Sequence, residues 1–287
     1  MTRIVIMFAG FVVAAAAEIR VAGSDLLGAE FARAVAEFAR QEDTAVKLGL
    51  RGTRPGLADL EAGCAEIGLF LLPAEEAPPS GNVVSRVIGY QVTVVAVPVA
   101  SPLTQVTVAQ LRGIFGETAK ESYSRWGELN LPGEWAARPI ALQALAPSAG
   151  LAWPLFRRQI LGEAAPRAAL QLAATDGALM ERLTAADNSI GVGGVGLAGH
   201  PALRALAVAA SPTEPAYAPT ADNVHHGNYP LRLALHVVFP RAAAPGLLRF
   251  LKFLLADETA AALAPAHFVP LPRGARNQLV FELEEMR

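Results

Sequence analysis

Cysteine is almost missing from this chain. The single one, Cys64, cannot form an internal disulfide, so the fold must rest on its apolar core. Its surroundings, "EAGCAEIGLF", lean apolar, and the expectation is a buried thiol that packs rather than reacts. Charge is also sparse, at 17% of residues with a net charge of -2. That excludes the basic surface a nucleic-acid partner needs and offers no attraction to an anionic membrane.

Long apolar runs are lacking beyond the first residues. Hydrophobic residues reach 53% and the mean hydropathy is +0.34, but much of this is alanine. No later run approaches the roughly 20 residues of a membrane-spanning helix, so the mature chain is expected to be soluble. Enzyme signatures are missing too: there is no G-x-S-x-G elbow, no H-E-x-x-H, no phosphate-binding P-loop and no CxxC pair. "GVGGVG" at 191–196 fits the dinucleotide pattern poorly and lacks the helix and acidic residue that should follow. His225-His226 has no acidic or Cys neighbour at ligand spacing and reads as an exposed polar turn, so no metal and no other cofactor is expected.

What is present begins at the N-terminus. Thr2-Arg3 precedes an apolar run from Ile4 to Ala17 that closes on three alanines before Glu18. This is the pattern of a secretory signal peptide, with cleavage expected after Ala17. No Cys follows the run, so no lipid anchor is expected.

Residues 18–97 alternate short β-like runs with helical spacing. Strands are predicted at Ile19–Ala22, Ala45–Leu50 and Ile67–Leu72, a helix on Leu27, Phe31, Val35 and Phe38, and a short one at Leu57–Ala62. Such alternation means βαβ units and a largely parallel sheet. After the Pro-rich break at 73–82, "VIGYQVTVVAVPVASP" predicts a long strand crossing between domains. Residues 103–210 repeat the pattern, with helices at "TVAQLRGIF", "WPLFRRQIL" and "DGALMERLTA" and strands at "RPIALQAL" and "SIGVGG". A loop at 210–223, a strand at "LRLALHVVF", helices at Pro245–Leu255 and "ETAAALA", and a solvated helix end at "FELEEMR" complete the chain.

Several of these segments, in order, resemble the phosphate-binding protein (PstS-like) family of bacterial high-affinity phosphate importers. "VAGSDLLGAEFARAVAEF" resembles its first strand, ligand loop and helix, and "RPGLADLEAGCAEIGL" its G-I-x-x-L-x-x-G-x-A-D-I-G element. "VTVAQLRGIFGE" and "RWGELN" are similar to L-T-x-x-Q-L-x-x-I-F-x-G and N-W-x-x-L-G. "NSIGVGGVGLA" is similar to G-A-I-G-Y-x-G, and "PTADNVHHGNYPLRLALHVV" to the P-T-x-x-N-x-x-x-G-x-Y-P-L-x-R-P-L closing element. The resemblance implies an α/β, two-lobed periplasmic-binding-protein fold of type II. Each lobe would be a mainly parallel sheet flanked by helices, with the ligand cleft between them. Residues 18–98 plus 211–287 would form the first lobe and 99–210 the second.

The family holds phosphate on loops that open helices, where free N–H groups and the helix dipole favour an anion. Carried onto this sequence, the first loop is Ser24, Asp25 and Leu26. Ser24 offers a hydroxyl, while Asp25 stands where the family has Ser or Thr and reads either as a helix N-cap or as acceptor of the proton of monohydrogen phosphate. The family's own acceptor, an Asp after the third strand, is matched by Leu71. The second loop, "RGTRPG", puts Thr53 on the phosphate-binding Ser and adds Arg51 and Arg54, whose guanidinium forks suit an oxyanion but could equally be solvated.

The third loop sets Ala146 against the family's Arg and Gly150-Leu151-Ala152 against S-G-T, with Ser148 as a displaced hydroxyl or a helix N-cap. Trp126 reads as core, and Trp153 as a possible cleft wall. The resemblance implies a monomeric periplasmic solute-binding protein, not an enzyme, passing a small anion, phosphate first, to an ABC permease in the inner membrane. Leu71, Ala146, Leu151 and Ala152 keep a second expectation open, a sensory, adhesive or scaffold protein with a degenerate phosphate site.

Overall fold

The computed structural model describes residues 18–286 apart from 74, 75, 77, 78, 80 and 118–121. The expected signal peptide, residues 1–17, lies outside the described residues. The chain opens with β1 (Ile19–Gly23), α1 (Gly28–Gln41), β2 (Val46–Leu50), α2 (Thr53–Glu61) and β3 (Ile67–Leu72), followed by β4 (Val83–Val92) and β5 (Val94–Pro98). Next come β6 (Gln105–Thr107), α3 (Val108–Phe115), β7 (Ala141–Leu145), α4 (Ala152–Phe156), β8 (Gln171–Ala173), α5 (Asp176–Ala185), β9 (Ser189–Gly193), α6 (Gly196–Gly199), β10 (Leu203–Ala205) and β11 (Ala207–Ala209). The last part holds α7 (Ala221–His226), β12 (Arg232–Pro240), α8 (Ala244–Leu254), α9 (Asp257–Leu263), β13 (Phe268–Pro270) and α10 (Arg273–Glu284).

Two main sheets result. The first runs β13-β4-β12-β3-β1-β2 and the second β10-β5-β9-β7-β8, with β6 and β11 as a separate pair. Strands joined by helices pair in parallel: β1 with β2 and β3, and β7 with β8 and β9. Those that cross between lobes or return from the C-terminal segment pair antiparallel, as β12 does with β3 and β4 and β5 with β9 and β10. The α/β fold is therefore as the sequence implies, while the sheets are mixed rather than mainly parallel.

The predicted long strand divides at Thr93, so β5 pairs in the second sheet although the sequence groups residues up to 98 with the first lobe. The break is built from Thr93's own polar atoms. Its N–H donates to Leu231 O at 3.0 Å, its hydroxyl donates to Ala152 O at 3.1 Å, and its carbonyl accepts the Tyr229 hydroxyl at 2.8 Å. Each bond ties it to an element outside the ladder. A buried polar residue at a lobe crossing is tolerable because every group is satisfied.

Each lobe has its own core. Phe31, Val35 and Phe38 share one face of α1, as their helical spacing requires, and pack with Phe250 and Phe253 of α8. In the second lobe Trp126 is fully buried, as expected. Trp153 is buried too, stacked 5.5 Å from the Phe156 ring, so it belongs to this core rather than to the cleft wall. Cys64 is exposed, contrary to expectation. It falls in the turn between α2 and β3, and its neighbour Ala65 takes the inward position.

Candidate functional site

The loops that leave the carboxyl ends of β1 and β2 meet each other, and the one after β7 packs on the first lobe through Leu151; the carboxyl ends of strands are the usual place for a ligand in an open α/β sheet. In the first, Ser24 is almost fully buried and caps the short turn Asp25–Leu27, its Oγ accepting from Leu26 N at 3.3 Å. The N-cap is thus Ser24 and not Asp25. Accepting this bond leaves the Ser24 hydroxyl hydrogen free to donate. Asp25 is exposed, and its Oδ1 lies 4.0 Å from where a Cβ on Gly52 would stand, so it faces the second loop. Leu26 is half-buried against the first lobe's core.

The second loop is fixed to the first by Gly52 N donating to Gly23 O at 2.9 Å. Gly52 has φ +114°, in the region that favours glycine, and lets the chain turn directly into α2. Thr53 starts that helix. Its Oγ1 accepts from Leu71 N at 3.2 Å, so the hydroxyl that matches the family's serine also ties α2 to β3 beyond the end of the ladder with β1. The Leu71 side chain is buried in the first core. Arg54 is exposed on the first turn of α2 and forms no hydrogen bond or ion pair among the described residues.

Arg51 is placed elsewhere. Its guanidinium meets Asp59 Oδ2 at 2.5 Å, in a shallow groove with Arg20, Lys47 and Cys64 to which no residue of the second lobe contributes. Asp59 accepts a hydrogen bond from it and lies beside its charge, which raises its pKa further. The structure brings Ser24, Asp25 and Thr53 together where the first and second loops meet, and leaves the Arg51 charge outside that junction.

In the third loop, Pro147–Ala149 form a 3-10 turn with Ser148 exposed in the middle. Ser148 is not the cap of α4; Leu151 holds that position with no side-chain cap. A Cβ on Gly150 would stand 3.6 Å from the His267 ring. Leu151 packs across the cleft against the first lobe's core. Beside it lies a cavity of about 470 Å³, walled by Pro73, Leu231 and Leu233 on one side and Leu151, Pro154 and Leu155 on the other.

His267 was not singled out by sequence reasoning. It has φ +65° and is nearly buried, and its Nε2 stands 3.4 Å from Asp176 Oδ2 on the opposite lobe. A Cβ on Gly194 would come within 2.1 Å of its Nδ1. Only a glycine there leaves room for the ring, and the glycines of "GVGGVG" were the one signal in the sequence. His226 is exposed as expected, whereas His225 is half-buried, with its pKa lowered by that burial and then by His226 and Arg232. Among the described residues no group of three or more His, Cys, Asp or Glu could hold a metal ion, and no helix is long and apolar enough to cross a membrane.

Comparison with known proteins places this two-lobed α/β architecture. A family model described as a PBP superfamily domain matches residues 13–258, and the chain belongs to that family. The chain is 25% identical over 214 residues to the phosphate-binding protein PstS of Pseudomonas aeruginosa, an alignment covering 68% of this chain and 65% of that protein's length. Among solved structures, a possible phosphate binding protein from Planctomyces limnophilus superposes with a TM-score of 0.71 at 19% identity, covering 94% of this chain and 99% of the other. PstS from Borrelia burgdorferi gives 0.70 at 16% identity, over 89% and 99%. The chain is thus a PBP superfamily domain with the fold of these structures, and it spans just under two thirds of the length of the curated phosphate-binding protein it matches.

Proposed function

We propose that this protein is exported to the periplasm, captures a small oxyanion, phosphate first, between its lobes by hinge closure, and delivers it as a monomer to an ABC permease. The observation that carries the reading is the junction of the loops: Gly52 N is bonded to Gly23 O, and Thr53 to Leu71. That junction puts the start of α2 beside Ser24, with hydroxyl hydrogens and backbone N–H groups available to an anion. Thr53 and Ser24 act as hydroxyl donors, and the amides of Asp25, Arg54 and Leu151 form the cradle, while those of Leu26 and Gly150 are turned to Ser24 Oγ and Pro147 O. Arg54 supplies charge at the rim, and Asp25 accepts the proton of monohydrogen phosphate. The lobes move about Thr93 and the segment between β11 and β12, with residues up to 92 and beyond 231 in one body.

Calorimetric titration with phosphate and sulfate, with a Thr53→Ala, Arg54→Ala double variant beside the parent, tests this. Saturable phosphate binding that the variant weakens supports the reading. A specific observation favours a second one. Arg51 is committed to Asp59 outside the cleft, and Leu71, Ala146 and Ala152 stand where the family carries polar groups. Loss of two charge-assisted bonds of about 1.5 to 3 kcal/mol each weakens phosphate by several powers of ten. No heat with either anion favours that reading, a sensory, adhesive or scaffold role.

A further inference from the structure

Resting on the capture reading above, we propose that the ligand is an oxyanion carrying an apolar substituent, of the alkylphosphonate or alkyl phosphate class. Its charged head lies at the loops and its alkyl body in the cavity beside them. The cavity of about 470 Å³ falls in the range of small-molecule sites, roughly 300 to 1,000 Å³, and exceeds what a bare tetrahedral anion fills. Its wall shares one residue with the third loop and lies near the second. Leu151 follows Gly150 in the third loop and also lines the cavity. Pro73 stands on its wall just beyond Leu71, whose amide is bonded to Thr53 of the second loop.

The walls are chemically one-sided. Leu151, Leu155 and Leu233 with Val108 present hydrocarbon from both lobes, so closing the lobes on inorganic phosphate alone leaves that surface with nothing apolar to bury it. An alkyl chain removes it from water, and each methylene buried there strengthens binding by about fourfold. The polar side chains on the wall are Arg158 and Gln159, and the Gln159 Nε2 already donates to Arg232 O at 3.1 Å. Arg158 is cationic, which suits an anionic ligand and disfavours an amine. Leu151, unexpected in a phosphate site, becomes part of the inner wall of one that also takes hydrocarbon.

The test is calorimetric titration of the anion-free protein with inorganic phosphate, hexylphosphonate and hexan-1-ol, with Leu233→Asn as the cavity variant. The expected result is hexylphosphonate at least about tenfold tighter than phosphate, given several methylenes buried, and no saturable heat with hexan-1-ol. Leu233→Asn, checked for folding by its thermal melt, should erase the hexylphosphonate advantage and leave phosphate affinity unchanged. Val108→Asn takes its place if that variant does not fold. Equal affinity for the two anions, hexan-1-ol as tight as hexylphosphonate, or an advantage that survives the cavity variant each overturns the inference while the capture reading stands. No binding of either anion removes both.

Discussion

His267 of the first lobe and Asp176 of the second approach to 3.4 Å, between the two cores. The ring fits because Gly194 has no Cβ to meet it. Loops from both sheets are thereby held face to face: Ala266 lies 3.5 Å from where a Cβ on Gly28 would stand, behind the first loop, and His267 covers Gly150 of the third. Shape at this point couples the position of one lobe to the other.

Gly194→Ala should therefore separate the lobes. The added Cβ meets the imidazole far inside contact distance, and overpacking of this kind costs typically about 1 to 3 kcal/mol. The expected result is a lower melting temperature and a larger radius of gyration by small-angle scattering. His267→Ala in the same background should restore the compact form, because it removes the clashing ring.

Thr53 carries a structural bond that does not depend on ligand. Thr53→Val keeps the shape but leaves the Leu71 amide without its acceptor, and a buried unsatisfied donor costs about 1 to 3 kcal/mol. Thr53→Ser keeps the hydroxyl and should lose little. Urea denaturation of both variants without added anion measures the difference, and equal stability would remove this role for Thr53.

Stability should fall as the solution is acidified, in part through His236. Burial lowers its pKa below the ordinary 6.5, and its Nδ1 lies 3.1 Å from the Ser85 hydroxyl. The unfolded chain binds the proton more readily than the folded one, so the contribution is complete above pH 6.5 and is lost as pH falls through the lower folded value. His225 acts in the same direction. Denaturation midpoints for His236→Gln and the parent between neutral pH and pH 5 should show a shallower decline in the variant.

The two arginines of the second loop should separate in function. Arg51→Ala breaks only the pair with Asp59, whose exposed partner makes it worth little, and anion affinity should hardly change. Arg54→Ala removes a cation at the start of α2 that has no partner among the described residues, and should weaken anion binding most at low ionic strength. Titrations of both variants at two salt concentrations check the contrast.

Much of the fold was legible in local pattern. Strands β1 to β3 and helices α1 and α5 announce themselves through periods of 2 and 3.6 residues. The crossover at Thr93 was not, because its three bonds reach Leu231, Ala152 and Tyr229, which no local pattern links. In "GSDL" two good capping residues stand side by side, and only the backbone decides for Ser24. The outward turn of Arg51 depends on Asp59 at the far side of α2, and the exposure of Cys64 on the turn that precedes β3. The contact of His267 with Gly194 joins distant segments, so the sequence showed the glycine and hid its reason.

The most direct test of solute capture is titration of the anion-free protein with phosphate, followed by calorimetry and small-angle scattering on the same samples. The account predicts saturable binding at one site per chain together with a reduced radius of gyration as the lobes close. Absence of heat with phosphate, sulfate and hexylphosphonate alike, with an unchanged scattering profile, would contradict it.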